Sequence, residues 1–546
     1  MGDNLFIIAI GGTGMRCLES FIHLCALGMF DDKEINILTL DTDQANGNKQ
    51  RVENLINVYN EVRDASNASK DTFFSAKLDL KHFVTPYNSN DGDTYKVLRS
   101  KGIAPEYKDD NSDLAELFYN PEKIQTFNLE EGYRAQTHLG SMLMYIGIID
   151  AATKVARDPE KYSQYLELKA FLDKMSRSTT TCRVFVLGSV FGGTGASSIP
   201  IIPRAILEAA NIIFSVGREG RVLFGSTLLT SYFKFGTADK ETKSRQKVIA
   251  DASFFALNSQ AALNFYNNDK TVLNNYKRFY QIGWPFDPEQ YGRNDLSIGG
   301  PTQENDSHFI ELLAAAAAYD FFTVAEDDLN STESVKYLHR MVETDSSGKI
   351  SRIKGEDIFD DTNTAKNFVL KLGGMITLSH LILGYENGAW DDSDKGGLML
   401  YLQEFAQNDI PGYKEINTNQ ARNLNMYLRY FAYEGKANGD IKGGWIYQIK
   451  NSLRSVCNNC ILSQEAYPKT KTEAKRVNLG GLFTYESYNW YEKKTGLRRL
   501  NFLNQENCFS ILKTKVGEFA SSNQYQGLSK FLKNFMDAAL ALERKS

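Results

Sequence analysis

The chain of 546 residues is too long for one ordinary hydrophobic core, and domains of roughly 100 to 200 residues predict at least two packed units. Its 42% hydrophobic content and 11 prolines are typical of a folded chain and argue against disorder. The net charge of −5, from 62 basic and 67 acidic residues, provides no long-range positive field, so no nucleic-acid partner is expected. The N-terminus lacks the features of a secretory signal and no apolar stretch is free enough of charge to span a membrane, so we expect a cytoplasmic protein.

The first 43 residues predict a strand, a glycine-rich turn, a helix and a second strand. Leu5 to Ile10 is an apolar run short enough for a buried parallel strand, and the turn Gly11-Gly12-Thr13-Gly14 follows it. Apolar residues recur at helical spacing from Met15 to Leu27, and a second apolar run, Ile35 to Leu40, ends in Asp41-Thr42-Asp43. This order is that of a βαβ unit, in which both strands are parallel.

A second glycine-rich turn follows a later strand. The chain from residue 44 to about residue 130 is polar and shows no long clean period, so we expect an insertion of loops and short helices there. Helical spacing returns from Thr137 to Ala156, and Arg183 to Leu187 predicts another buried strand. The segment GSVFGGTGASS follows that strand directly, and Ile199 to Ile213 predicts the next helix.

Strand and helix continue to alternate as far as residue 283. Arg221 to Leu229 and Arg278 to Gly283 predict strands, with a helix centred on Ile249 to Phe265 between them. Gln303 to Val324 predicts a helix about 30 Å long that is apolar on nearly all sides, which is typical of a buried central helix. The alternation indicates an α/β fold with a doubly wound, mainly parallel sheet and helices on both faces.

The alternation fades near residue 325, which divides the chain into two predicted domains. Residues 1–325 form the α/β unit, including the insertion and the central helix. Residues 326–546 mix longer helices with short β-like segments, so we expect a C-terminal domain of mixed α+β structure. The helices predicted there are Asn367 to Leu383, Gly397 to Gln407 and Gly527 to Glu543.

Both glycine-rich turns are suited to binding phosphate. Main-chain N–H groups and the helix dipole converge where a strand passes through glycines into a helix. Gly11 to Gly14 and Gly192 to Gly195 share the four letters GGTG. The dinucleotide fingerprint fails because Cys17 replaces its third glycine, and the P-loop motif fails because Thr194 replaces its lysine. We therefore expect a nucleotide site that binds phosphate without a lysine.

The sequence resembles the tubulin/FtsZ superfamily, whose signature is a GGGTG[ST]G-type loop after the fourth strand together with a glycine loop after the first. Phe191 to Ser197 (FGGTGAS) is similar to that signature and differs from it at its first and last positions. The resemblance extends to Gly11 to Gly14, to Asp41-Thr42-Asp43 and to the long helix from Gln303. It therefore covers residues 1–330 apart from the insertion.

The resemblance implies a site for GTP or GDP with Mg²⁺. In such a site Asp41 or Asp43 contacts the ribose or the magnesium shell, and Asn305 recognises the guanine edge. Arg134 adds positive charge from a further phosphate loop. Main-chain groups of the two glycine loops hold the phosphates; these residues are Gly11, Gly12, Thr13, Gly14, Gly192, Gly193, Thr194, Gly195 and Ala196. No separate metal site is predicted, because the CxxC pair Cys457 and Cys460 has no second pair of ligands.

In this family, an acidic loop at the far end of the central helix inserts onto the nucleotide of the neighbouring subunit. Glu326, Asp327 and Asp328 are the acids available here. An uninterrupted helix from Asn305 to Asp327 is about 33 Å long, which puts nucleotide and acids at opposite ends of one subunit. The resemblance thus implies a prokaryotic, cytoskeleton-like GTPase whose subunits assemble head to tail into filaments and hydrolyse GTP at their interface.

Each of these residues also has a purely structural interpretation. The glycines serve tight turns, the two aspartates cap a turn, Asn305 is a helix N-cap, and the acids lie at a solvated helix end. Two other functions stay open. One is a nucleotide-binding scaffold or sensor without hydrolysis, defence-associated in one version, that recruits a protein partner through the C-terminal domain. The other is an α/β enzyme that uses NAD or FAD.

Overall fold

In a computed structural model of the chain, the structure describes residues 4–43, 45–68, 70–83, 133, 137–215, 221–233, 254–286, 305–330, 335–350, 353–384, 412–437, 440–453, 456–457, 515–520 and 524–541. Within these ranges the chain forms a seven-stranded sheet, helices on both faces of the sheet, and a short hairpin. Residues 84–132 of the predicted insertion and the predicted helix at 397–407 lie outside the described residues.

All seven strands of the sheet are parallel, in the spatial order β3-β2-β1-β4-β5-β6-β7. The order reverses between β1 and β4, as in doubly wound sheets. The strands are β1 (Leu5–Ile10), β2 (Glu34–Leu40), β3 (Lys77–Phe83), β4 (Cys182–Leu187), β5 (Val222–Leu229), β6 (Tyr276–Ile282) and β7 (Lys336–Arg340). The separate antiparallel hairpin consists of β8 (Tyr433–Ala437) and β9 (Asp440–Gly443).

Helices follow most strands and continue through the C-terminal half. In the α/β unit they are α1 (Gly11–Ala26), α2 (Gly47–Ser66), α3 (Thr137–Arg157), α4 (Leu166–Arg177), α5 (Gly193–Ser198), α6 (Ile202–Phe214), α7 (Phe255–Asn268), α8 (Lys270–Asn275) and α9 (Phe309–Thr323). The remainder are α10 (Glu326–Asn330), α11 (Thr362–Gly384), α12 (Thr418–Ala432), α13 (Trp445–Leu453) and α14 (Gly527–Ala541). Short 3₁₀ helices lie at Ser163–Tyr165, Gly355–Asp357 and Tyr413–Glu415.

The alternation of side chains along the strands divides the core into two layers. In β1, Ile7 and Ala9 face one layer, whereas Phe6 and Ile8 face the other. The first layer contains α1, α2 and α9, and the second contains α3, α4 and α6. Strands β1 and β5 are buried along their whole length, which is why they appear in the sequence as continuous apolar runs. The predicted doubly wound α/β fold is confirmed.

The expectation of loops and short helices in the 44–130 insertion is wrong for residues 47–66 and 77–83. These residues form the 20-residue helix α2 and the strand β3, which pairs with β2 along its whole length. Val52, Leu55 and Tyr59 are buried at helical spacing, but polar residues on the opposite face of α2 lower the average hydrophobicity of the segment. Strand β3 lies at the edge of the sheet and is only partly buried, so it lacks an apolar run.

The boundaries of two predicted helices are also corrected. The helix expected from Ile199 begins at Ile202, with Pro203 in its first turn. The central helix expected from Gln303 is α9, which begins at Phe309 and is about 22 Å long. Its N-cap is His308, whose Nδ1 accepts the N–H of Ile310 at 3.2 Å while Glu311 accepts the N–H of His308 at 2.9 Å. The helix is buried on nearly all sides, as expected.

The described helices of the C-terminal half pack on the same layer as α1 and α2. Helix α12 contacts α2, and α13 contacts α9. Trp445 of α13 is fully buried, and its Nε1 donates to Ser20 Oγ of α1 at 2.9 Å. The sheet itself extends past residue 325, because β7 lies beyond it. These elements therefore complete the core of the sheet, and a separate C-terminal domain stays a prediction.

One described helix, α3, is long and apolar enough to cross a membrane by length and composition. Half of its most apolar window is buried inside the protein (50%), and α3 packs against α5 and α6. Core helices meet the same criterion, so α3 is weak evidence for a span.

The packing of α13 on α1 makes a testable prediction about cooperativity. Replacing Trp445 with Ala is expected to lower the free energy of unfolding by about 3 to 5 kcal/mol, because the indole fills the layer between the two helices. Urea unfolding followed by circular dichroism should show one transition that shifts as a whole. Met426 of α12 is 38% exposed, so Met426→Ala serves as the control with a change within about 0.5 kcal/mol. Two wild-type transitions, only one of which Trp445→Ala shifts, would contradict a shared core.

Candidate functional site

The carboxyl ends of β1 and β4 meet where the strand order reverses. β1 pairs with β4 from Leu5 with Arg183 to Ala9 with Leu187, so the chain leaves both strands at the same place. The two GGTG segments follow directly and therefore lie side by side. A crevice at such a switch point is where open α/β sheets bind their ligands.

The two glycine loops are in direct contact. A Cβ added to Gly11 would lie 3.2 Å from Cβ of Thr194, and the φ of Gly11 is +66°, which favours glycine. A Cβ on Gly14 would lie 2.5 Å from the carbonyl oxygen of Leu187, and a Cβ on Gly195 would lie 2.7 Å from that of Ser189. The positive φ of Gly11 bears out the structural interpretation that a tight turn requires glycine, whereas Gly14 and Gly195 are required by their close approach to main-chain carbonyls.

The rest of each loop is open to a ligand. The half-buried loop residues are Gly12, Thr13, Gly192, Gly193 and Thr194. Ala196 is buried, and its carbonyl accepts a hydrogen bond from Tyr266 at 2.5 Å. Helices α1 and α5 begin within the loops, and neither has a side-chain cap or an acidic residue in its first turn. The first N–H groups of both helices therefore have no acceptor from an N-cap side chain, an arrangement that suits an anion.

The acidic turn after β2 is buried next to the first loop. Leu40 pairs with Ile10, so Asp41 leaves the sheet beside the start of α1. Asp41 and Asp43 are only 2% and 3% exposed. Oδ1 of Asp41 accepts the N–H of Asp43 at 3.2 Å, and Oδ1 of Asp43 accepts the N–H of Ala45 at 3.1 Å. The expectation that these side chains cap a turn is confirmed.

The same turn holds a carboxyl group that titrates near neutral pH. Burial raises the pKa of Asp41 to about 7, and the neighbouring charge of Asp43 adds to this effect. A nearby cation would favour the ionised form, and carboxylate oxygens are ligands that Mg²⁺ prefers. The described residues contain no group of three or more His, Cys, Asp or Glu side chains able to hold a metal alone. Two carboxylates are nevertheless enough for Mg²⁺ when phosphate oxygens and water complete its shell.

The sequence reasoning missed the first turn of α2, which adds polar groups to this edge. Asn46 caps the helix, because its Oδ1 accepts the N–H of Asn48 at 2.9 Å. Nδ2 of Asn46 donates to Oδ2 of Asp41 at 3.4 Å. Lys49 is buried and pairs with Glu53 at 2.9 Å, so this edge does contain a lysine. The signal that could have found the turn is an Asn-Gly-Asn cap ahead of the helical period in α2.

Residues 305–309, which we call the 305–309 segment, lead into α9 and are fixed by side chains from other helices. The N–H of Asn305 donates to Oδ1 of Asn48 at 3.2 Å, and the carbonyl of Asp306 accepts Nη2 of Arg16 at 2.6 Å. Asn305 is therefore not the N-cap of α9, contrary to one interpretation of the sequence, since His308 occupies that position. Its main chain instead contacts the start of α2.

The C-terminal half holds the other end of the 305–309 segment. The N–H of Ser307 donates to Oε1 of Gln448 at 2.8 Å, and the N–H of Phe309 donates to Oγ of Ser452 at 3.1 Å. Both acceptors lie on α13. Nothing local in the sequence indicated these contacts, because the partners are far apart in the chain.

A buried ion pair, also missed, joins α1 to α9. Nε of Arg16 donates to Oε1 of Glu311 at 2.6 Å, and the hydroxyl of Tyr232 donates to the same oxygen at 2.6 Å. Burial opposes the charged form of Arg16, but the carboxylate of Glu311 outweighs it and raises the pKa of Arg16. Arg16 is thus a fixed cation one turn after the first glycine loop.

The predicted catalytic acids lie at the amino ends of the strands, opposite the glycine loops, which follow the carboxyl ends of β1 and β4. Glu326, Asp327 and Asp328 form the exposed first turn of α10. Oε1 of Glu326 accepts the hydroxyl of Thr181, which directly precedes β4, at 2.6 Å. The acids therefore stand at the amino ends of the strands, away from the glycine loops. Arg134 lies outside the described residues.

Comparison with protein-family models, curated proteins and solved structures finds no match to this chain. The function must therefore be argued from the site itself.

The raised pKa of Asp41 predicts how stability changes with pH. The folded state holds this proton up to about pH 7 and the unfolded state releases it near the ordinary value of 3.8, so stability falls as pH rises between these values. Asn cannot ionise, so the unfolding free energy of Asp41→Asn relative to wild type should rise across this range, by on the order of 4 kcal/mol. Urea unfolding between about pH 4 and about pH 8 measures the difference.

Asp327→Asn removes one exposed carboxylate and controls for the change in net charge. If the difference in unfolding free energy between Asp41→Asn and wild type stayed constant with pH, Asp41 would not be the group that holds a proton up to about pH 7.

Proposed function

We propose that this chain binds GTP with Mg²⁺ in the crevice between β1 and β4, as members of the tubulin/FtsZ superfamily do. The observation that carries the proposal is the direct contact of two GGTG loops at the switch point of a parallel sheet. Two uncapped helix starts converge there. Such a site binds phosphate through main-chain N–H groups and does not need the lysine of a P-loop.

The acidic turn supports Mg²⁺ as part of this ligand. Asp41 and Asp43 lie beside the first loop, and burial raises the pKa of Asp41 to about 7, so a bound cation would shift Asp41 to its ionised form. These two carboxylates would hold the ion together with phosphate oxygens, and the ion would offset phosphate charge. Lys49 is close enough to lower the pKa of Asp41 and adds further positive charge to this edge.

The loops also account for the two departures from the superfamily signature. Because β3 precedes it, β4 is the fourth strand in chain order. In the superfamily, the signature loop also follows the fourth strand. Phe191 stands at the first glycine of the signature, and its ring packs 5.3 Å from Phe255 and 5.5 Å from Phe233. Ser197 stands at the last glycine, and its Oγ donates to the carbonyl of Thr194 at 3.0 Å. Both side chains point into the protein, so they leave the exposed part of the loop unchanged.

A dinucleotide such as NAD is the weaker choice. The order of the first six strands is shared with dinucleotide-binding sheets, so topology alone does not separate the two ligands. The dinucleotide fingerprint requires a third glycine for close packing of helix on strand, and Cys17 occupies that position. Gly14 makes the closest approach to the sheet instead.

The position of the acids supports hydrolysis between subunits. The acids Glu326 to Asp328 lie at the amino ends of the strands, whereas the glycine loops lie at the carboxyl ends. In a head-to-tail contact, the acids of one copy would therefore reach the nucleotide of the next. Repetition of that contact gives a filament. A carboxylate there would orient water toward the terminal phosphate.

A second candidate function is a nucleotide sensor that does not hydrolyse its ligand. Two hydrogen bonds from the 305–309 segment to α13 favour this function. They connect the candidate site directly to the C-terminal half of the chain. A partner bound through that half would then respond to nucleotide. Absence of turnover at every protein concentration, with GTP bound, distinguishes this function from the first.

Thr13→Glu tests the phosphate site. A carboxylate in the first turn of α1 stabilises a helix start by about 0.3 to 1 kcal/mol but repels phosphate. We expect the Kd for GTP to rise by about 10-fold or more with no loss of thermal stability. Thr13→Gln has the same size without the charge and should bind GTP more tightly than Thr13→Glu. Equal affinity of both variants and wild type in fluorescence titrations would rule out this loop as the phosphate site.

Mixing two inactive variants tests hydrolysis at the interface. Thr13→Glu protomers keep their acids, and Asp327→Ala/Asp328→Ala protomers keep their nucleotide site. At a GTP concentration near the wild-type Kd, Thr13→Glu should bind little nucleotide, and the acid variant should not hydrolyse the nucleotide that it binds. Because the glycine loops and the acids lie at opposite ends of the strands, each variant alone should show little turnover, while a mixture regains part of the wild-type GTP turnover. Wild-type turnover per protomer should also rise with protein concentration. Full turnover by Asp327→Ala/Asp328→Ala alone would exclude these acids from the reaction.

A further inference from the structure

A continuous chain of hydrogen bonds joins the acidic turn to the 305–309 segment. Nδ2 of Asn46 donates to Asp41 at 3.4 Å, and Oδ1 of Asn46 accepts the N–H of Asn48 at 2.9 Å. Oδ1 of Asn48 then accepts the N–H of Asn305 at 3.2 Å. These hydrogen bonds begin at Asp41, which the family resemblance assigns to Mg²⁺ or the ribose, and end at Asn305, which it assigns to the base.

Within this chain of hydrogen bonds, Asn48 is the residue that bonds directly to Asn305. Its side chain is 2% exposed, so the bond to Asn305 is shielded from competing water. Asn305 itself lies outside α9 and lacks the main-chain partner that a helix would supply. Its neighbour Asp306 is anchored separately, by Arg16. The place of Asn305 along the edge therefore depends on the acceptor oxygen of Asn48.

We propose that Asn48 is a positioning residue that sets the base specificity of the nucleotide site by holding Asn305 in place. This inference rests on the proposed function, since it requires Asn305 to recognise the guanine edge. An amide side chain can pair with guanine through both its oxygen and its nitrogen, but adenine presents its donors and acceptors in a different arrangement. Discrimination of this kind depends on fixed geometry, so a displaced main chain at Asn305 weakens the choice between bases.

The environment of Asn48 selects the variants. Within the described part of the chain, Nδ2 of Asn48 is buried and has no hydrogen-bond partner, so only the oxygen is engaged. Asn48→Asp keeps an acceptor oxygen, and a carboxylate is favoured in the first turn of a helix. Asn48→Ala removes the acceptor, and Asn48→Val removes it without loss of volume should Asn48→Ala fail to fold. Asn60→Ala is the matched control, because Asn60 lies on the same helix and donates to the carbonyl of Leu78 at 2.9 Å, on the next strand.

The experiment measures the ratio of the Kd for ADP to the Kd for GDP in displacement titrations of a fluorescent guanine nucleotide. Wild type is expected to prefer GDP, and Asn48→Ala or Asn48→Val should lose about 10-fold or more of that preference. Asn48→Asp and Asn60→Ala should keep the wild-type ratio. If Asn48→Asp keeps the wild-type ratio, the acceptor oxygen of residue 48, and hence the position of Asn305, is the cause of the preference for GDP.

Three results would overturn the inference. Equal weakening of GDP and ADP by Asn48→Ala would mean a general structural role, and loss of preference in Asn48→Asp would assign the effect to the amide nitrogen. Unchanged ratios in all variants of a GDP-binding wild type would remove Asn48 from recognition altogether. A wild type that binds neither nucleotide, or prefers ADP, would instead refute the proposed function on which the inference rests.

Discussion

The close approach of α1 to the end of β4 at Gly14 determines the rest of the arrangement. A Cβ at this position would lie 2.5 Å from the carbonyl oxygen of Leu187, so only glycine lets the first turn of α1 rest directly on the sheet edge. That contact places the start of α1 over the crevice between β1 and β4. It also sets the distance at which α1 meets α2, α9 and, through Trp445, α13. A larger residue would push α1 off the sheet and disturb the crevice and the C-terminal packing together.

The buried ion pairs around α1 hold neighbouring groups in place more than they stabilise the fold. Removing two ions from water costs about as much as their attraction returns, so the pair Arg16 and Glu311 is not a large stabilising term. Arg16 also donates to the carbonyl of Asp306, however, and Glu19, which is paired with Arg51 at 2.7 Å, accepts the hydroxyl of Ser307 at 3.3 Å. Both ion pairs thus end on the 305–309 segment, whose main-chain groups lack the partners of a helix or strand. We attribute to them the positions of Asp306 and Ser307 in that segment, while Asn48 holds Asn305.

The sequence predicted the parts of this structure that follow from local pattern. Strands β1, β2, β4 and β5 are mostly apolar because both of their faces are buried, and the glycine loops stood out at the ends of β1 and β4. Strand β6 was recognisable from Phe279, Tyr280 and Ile282. Helix α2 and strand β3 were missed because each is buried on one side only, and the start of α9 was missed because the polar lead-in from Asn305 to His308 contains no glycine or proline to mark a boundary. The bonds of Ser307 and Asn305 to distant helices, and the raised pKa of Asp41, depend on tertiary burial and have no local signal.

Helix α9 separates the glycine loops from the acids at Glu326 to Asp328. This helix is about 22 Å long and buried on nearly all sides, so its two ends cannot approach each other within one chain. Arg183 reinforces its far end by donating to the carbonyls of Phe321, Phe322 and Val324. Asp327 and Asp328 therefore cannot act in the crevice of their own chain, whereas the glycine loops and the acidic turn are complete without them. In both proposed functions a single chain would bind nucleotide, and in the first of them a second copy would bring its acids to that nucleotide.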